Sequence, residues 1–109
     1  MDAREERLAC NEILFREISE SIEVVAQSQG AGDHVFDFMC ECTNVDCTLS
    51  LPLALAVYED TRGAPDLFLV APGHDLPEIE DIVQRGDGYQ VVRERGDVAR
   101  FAAERHPRG

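Results

Sequence analysis

The chain has no lysine: its ten cations are all arginines, set against 22 acidic residues for a net charge of −12. Such a field repels nucleic acid and anionic membrane over most of a surface. The basic residues gather late, with Arg93, Arg95, Arg100, Arg105 and Arg108 in the last 17 positions against three acids, and read as a solvated helix and tail rather than a binding patch. All-arginine usage matches a high-GC codon bias and carries no mechanism. Long apolar runs are also missing, since none approaches the roughly 20 residues needed to span a bilayer. The opening MDAREERLAC is charged and lacks the apolar core of a secretory signal. The expected compartment is therefore the cytoplasm, where thiols stay reduced.

Catalytic motifs are absent as well. The chain contains no Gly-rich phosphate loop, no G-x-S-x-G, no H-E-x-x-H and no zinc-deaminase H-x-E with P-C-x-x-C. The acidic pairs Glu59-Asp60 and Glu80-Asp81 read as solvated helix faces, so the expectation is a protein that is not an enzyme. At 109 residues and 44% hydrophobic composition, residues 1–109 make one globular domain, near the size where a staple helps.

What is present is a clear order of elements. Leu8, Phe15, Ile18, Ile22 and Val25 recur at helical spacing, widened by Ile13 and Leu14, and predict a helix over 3–28 that ends at QSQGAGD. Within it, Cys10 reads as a small buried hydrophobe and Asn11 as a partly exposed polar residue. Val35 to Cys42 alternates with period two, placing Phe36, Phe38, Cys40 and Cys42 on one side of a strand. SLPLALAVYED (50–60) reads as a short helix capped by Ser50 with Pro52 in its first turn. LFLVA (67–71) reads as a buried strand. PGHDLPEIEDIVQ (72–84) predicts a turn followed by a helix with an Asp75/Glu78 capping box. YQVVRER (89–95) predicts a strand, and 97–105 a last helix. The expected fold is α+β, a three-stranded sheet covered by helices in the order α-β-α-β-α-β-α. It divides into the long helix, a metal-binding core at 34–95 and a C-terminal helix and tail at 96–109.

Three of the four cysteines, Cys40, Cys42 and Cys47, fall within eight positions. Disulfides are disfavoured by a reducing compartment, and residues i and i+2 of a strand lie about 6.5 Å apart with parallel Cβ vectors, at the edge of disulfide geometry. Chance packing explains poorly why so many thiols cluster. A nucleophilic or redox thiol wants a base or a C-x-x-C, and neither is present, while Glu41 and Asp46 oppose thiolate formation. An iron–sulfur cluster with Cys10 as fourth ligand stays open, although C-x-C-x4-C matches neither common ferredoxin spacing. Zn²⁺ suits the pattern best: Cys40 and Cys42 share a strand face and the TNVD turn returns Cys47 beside them.

The fourth zinc ligand has candidates in His34, His74, His106, Cys10 and Asp46. His34 would lie about 20 Å from Cys40 on an extended chain, and His106 is in the tail. His74 is expected because the Pro72-Gly73 turn aims it from fixed backbone. Two helix N-termini, after Cys47 and at Asp75, would also face the site with partial positive charge.

Four stretches, Arg7–Glu23, F-x-C-E-C-x4-C over Phe38–Cys47, the P-G-H end of Phe68–His74, and Y-x-V-V over Tyr89–Val92, together resemble a group of small proteins of high-GC, actinobacterial-type bacteria. The resemblance implies that these cysteines and histidine belong together; it implies no activity. The combined expectation is a binding or regulatory module with a structural Cys₃His zinc site, with a thiol-based redox or metal sensor, and then an iron–sulfur protein, as alternatives. A helix of about 25 residues runs near 37 Å, longer than strands of about 17 to 24 Å can cover. Its N-terminal turns, around Leu8 and Phe15, are therefore expected to meet a second copy or another protein.

Overall fold

The computed structural model describes residues 1–29 and 34–105. Helix α1 (Ala3–Ser28) runs without a glycine or proline. Asp2 caps it, its side chain accepting the Glu5 N–H at 2.7 Å, and Glu5 and Glu6 suit the positive end of the dipole. Strands β1 (Val35–Met39) and β2 (Ser50–Ala54) form an antiparallel ribbon with Phe38 opposite Leu51 and Phe36 opposite Leu53. Helix α2 (Leu55–Thr61) follows directly. Strand β3 (Leu67–Val70) and the hairpin of β4 (Glu80–Gly86) and β5 (Tyr89–Glu94) make a second antiparallel sheet, in the order β3-β5-β4. Helix α3 (Gly96–Glu104) closes the described chain.

The domain is thus α+β with three helices and two antiparallel sheets among the described residues. The expected single sheet and its helix–strand alternation are corrected in two places. Ser50 to Ala54 is a strand, not the first turn of a helix: Leu51 and Leu53 face inward while Ser50 and Pro52 face out. Pro52 lacks an N–H to donate, which is tolerated because the ribbon has only two strands and an open edge. The second correction is at 80–86, a strand where a helix was expected. Asp87-Gly88, with Gly88 at φ +81°, folds β4 back on β5, pairing Gly86 with Tyr89. Glu78 makes no capping box and instead receives both guanidinium nitrogens of Arg4, at 2.5 and 2.9 Å.

The core joins Phe38, Tyr58, Phe68, Leu69, Val70, Val91 and Val92, each no more than 1% exposed. Phe38 stacks flat on Tyr58, ring centroids 4.1 Å apart. Helix α1 packs on β1, α2 and α3, but not by the expected stripe. Its buried line is Ala9, Glu12, Ile13, Arg16, Ser19, Glu23 and Ala26, with Phe15 beside it. Ile18 and Val25 are exposed and Leu8 and Ile22 half-buried. Phe15 is 5% exposed and belongs to the chain's own core, so it offers no free surface. No described helix is long and apolar enough to cross a membrane.

Candidate metal centre

Cys40 and Cys42 lie just beyond the last paired residue of β1, not within a strand as expected. Here the chain leaves one sheet for the other. The Cys40 N–H still donates to Leu49 O on the β2 side (3.0 Å), whereas the Glu41 N–H donates to Leu69 O of β3 (2.7 Å). Glu41 turns its side chain inward and is fully buried; Oε1 accepts the Leu69 N–H at 3.0 Å and Oε2 the Tyr58 hydroxyl at 2.9 Å. Burial pushes its carboxyl up to about 7, against the opposing pull of these donors. With Glu41 inward, alternation places its two cysteine neighbours together on the opposite side.

The turn that returns Cys47 is built by Asn44. Its carbonyl accepts the Cys47 N–H and its Oδ1 the Asp46 N–H, both at 3.0 Å, an Asx turn. Asn11 of α1 steadies the loop by donating from Nδ2 to Thr43 O (2.8 Å). His74 is set as expected by Ala71-Pro72-Gly73-His74, a β-turn closed by His74 N–H to Ala71 O at 3.0 Å. Proline second and Gly73 at φ +83° third suit a type II turn.

These segments bring Cys40, Cys42, Cys47 and His74 together, one donor atom from each lying within 4.8 Å of the others. His74 Nδ1 is 3.7 Å from Cys40 Sγ and 3.8 Å from Cys47 Sγ. A tetrahedral ion with Zn–S near 2.3 Å and Zn–N near 2.0–2.1 Å separates sulfur from nitrogen by about 3.6 Å. The two sulfur–nitrogen distances are compatible with a shared metal ion. The sulfurs are buried and His74 half-buried. Ala71 N–H donates to Cys40 Sγ at 3.2 Å, the outer-shell contact that steadies a metal-bound thiolate. Between the free thiols, hydrogen bonding splits the titrations: Cys42 is held down to about 5 and Cys40 pushed above the ordinary thiol range.

The other candidates stand apart. Cys10 is exposed, not a buried hydrophobe. His34 packs edge-on against Phe36 with centroids 4.9 Å apart, Asp46 is exposed in its turn, and His106 lies outside the described residues. No helix begins at Cys47 or Asp75, so the expected dipole support is replaced by the Ala71 N–H. The buried clasp of Glu41, Tyr58 and Leu69 was not anticipated; the signal for it is an acid lodged between two ligands in an otherwise apolar alternation. Glu80 is buried on β4 rather than solvated on a helix, and only Asp81, paired with Arg95 at 2.7 Å, faces water. Comparison with known protein families, curated proteins and solved structures finds no match.

Proposed function

We propose that the protein is a non-enzymatic, cytoplasmic binding or regulatory module, held by one structural zinc ion on Cys40, Cys42, Cys47 and His74. The observation that carries this reading is the convergence of four donor atoms, from one strand end and two turns, within 4.8 Å. Soft thiolates with one imidazole favour Zn²⁺ over hard cations. Four protein ligands close the tetrahedron and leave no place for a reactive water, which argues for a structural ion. Association through α1 belongs to the proposal, with half-buried Leu8 as its probe.

The test is metal content after purification without added metal, followed by Co²⁺ substitution. Zinc near one equivalent, and a cobalt spectrum with thiolate-to-metal charge transfer, are expected. Iron with visible colour, or less than about a tenth of an equivalent of any metal, overturns the reading. Three oxidisable thiols in one ligand set support a second reading, a thiol sensor that releases zinc when oxidised. Prompt zinc release by mild peroxide would favour the sensor; retention favours the structural site.

A further inference from the structure

A second set of ligand-type side chains meets where α1 packs against β4 and β5. Glu80 and Glu94 are direct partners across the hairpin ladder, an arrangement that is unfavourable for like charges even on a wet surface. Here the pair is 1% and 3% exposed, and α1 lowers a third acid, Glu12 at 0% exposure, onto it. One oxygen from each carboxylate lies within 4.8 Å of the other two.

Little else in the protein answers these groups. Glu80 Oε1 accepts the Leu76 N–H at 2.7 Å. Glu80 Oε2, both oxygens of Glu12 and both oxygens of Glu94 accept no hydrogen bond from any described donor outside the triad. A buried acceptor without a donor costs about 1–3 kcal/mol, and more when charged. Among the described residues Arg16, one turn along α1, is a cation that acts on Glu94, shared with Glu41 and Glu20. Its Nη1 is engaged by Pro65 O at 2.6 Å and its guanidinium lies 4.6 Å over the Phe68 ring. Cys42 and Asp75 add further negative field at Glu80. One shared guanidinium against three carboxylates leaves a deficit of two positive charges.

We propose that Glu12, Glu80 and Glu94 form a second metal site, for a hard, oxygen-preferring divalent cation of the Mn²⁺, Mg²⁺ or Ca²⁺ class. Bound at about 2.0 to 2.6 Å, two oxygens of one such ion lie no more than roughly 4 to 5 Å apart, which the triad meets. Carboxylate oxygens select hard ions and thiolates soft ones, so this site and the Cys₃His group do not compete for metal, and neither assignment depends on the other. Burial lifts all three carboxyls, Glu94 to about 7, so protons compete with a cation for these oxygens. Cation binding therefore displaces protons.

The experiment is a Mn²⁺ titration of the purified full chain, read by loss of the free-ion paramagnetic signal and by proton release into weak buffer. One Mn²⁺ per chain with proton release is expected, and at least about tenfold weaker binding in Glu12→Gln, since even outer-shell changes cost about 10–100-fold. An unchanged far-UV circular dichroism spectrum and a cooperative melt in the variant show that the fold persists. Should Glu12→Gln fail to fold, Glu94→Gln takes its place. No saturable Mn²⁺ binding by the wild type, or equal affinity in a folded Gln variant, overturns the proposal and leaves the triad a set of protonated carboxyls.

Discussion

Glu41 holds Leu69 twice: its N–H donates to the Leu69 carbonyl at 2.7 Å, and its carboxylate accepts the Leu69 N–H at 3.0 Å. The clasp fills the free edge of β3 and fixes the Cys40–Cys42 segment against the strand that leads to His74. Removing the carboxylate strands the Leu69 N–H and the Tyr58 hydroxyl inside the core. Glu41→Ala should lower stability by about 2–6 kcal/mol, the sum of two buried groups at about 1–3 kcal/mol each, and Tyr58→Phe by clearly less. Urea unfolding of the zinc-loaded proteins measures both, and equal losses would show that the clasp is not shared as described.

Each of Cys40→Ser, Cys42→Ser and Cys47→Ser should lose zinc and melt at markedly lower temperature, because binding energy at a structural site is folding energy. Cys10→Ser should keep its full equivalent, as Cys10 is exposed and outside the cluster. Zinc loss on that change would mean a different ligand set.

Gly73 tests how firmly the turn sets the histidine. At φ +83° an alanine pays about 1–2 kcal/mol of left-handed strain, although nothing lies within 4 Å of a Cβ there. Gly73→Ala should weaken zinc affinity, read by chelator competition. Gly63→Ala, with equal space and no positive φ, should leave it unchanged.

Leu8 tests association. If α1 meets a second copy, light scattering of the purified protein at high concentration gives a dimer mass, and Leu8→Glu returns it to that of a monomer. A monomer with unaltered stability in the variant would remove self-association through this turn.

The candidate site was more legible in the sequence than the fold around it. Clustered cysteines and a Pro-Gly turn are local signals, and local geometry carried Cys40, Cys42, Cys47 and His74 into one place. The length of α1 was legible for the same reason, since nothing between Ala3 and Ser28 interrupts it. Its inward face was not, because Glu12, Arg16, Ser19 and Glu23 are polar residues that only the tertiary fold buries; Ser19 Oγ, for instance, donates to Met39 O at 3.1 Å and accepts the Met39 N–H at 2.9 Å. The stretch 50–54 is too short for period two to be told from a helical turn. At 72–84 the Asp75/Glu78 spacing favoured a helix, whereas the deciding signal was the Asp87-Gly88 hairpin turn beyond it.

The turn at Asn44–Cys47 and the turn at Ala71–His74 each span four residues, yet the contact between them, Cys47 to His74, joins positions 27 apart. Short turns close within microseconds, while a longer loop carries a larger entropic cost before any contact rewards it. Under the proposed zinc site, loop closure alone would therefore gather the three thiols from nearby chain first, with the imidazole following when β3 docks beside Glu41. With the proposed ion bound in this order, the last metal–ligand bond to form would also be the one that joins the two sheets, and its completion would report closure of the fold.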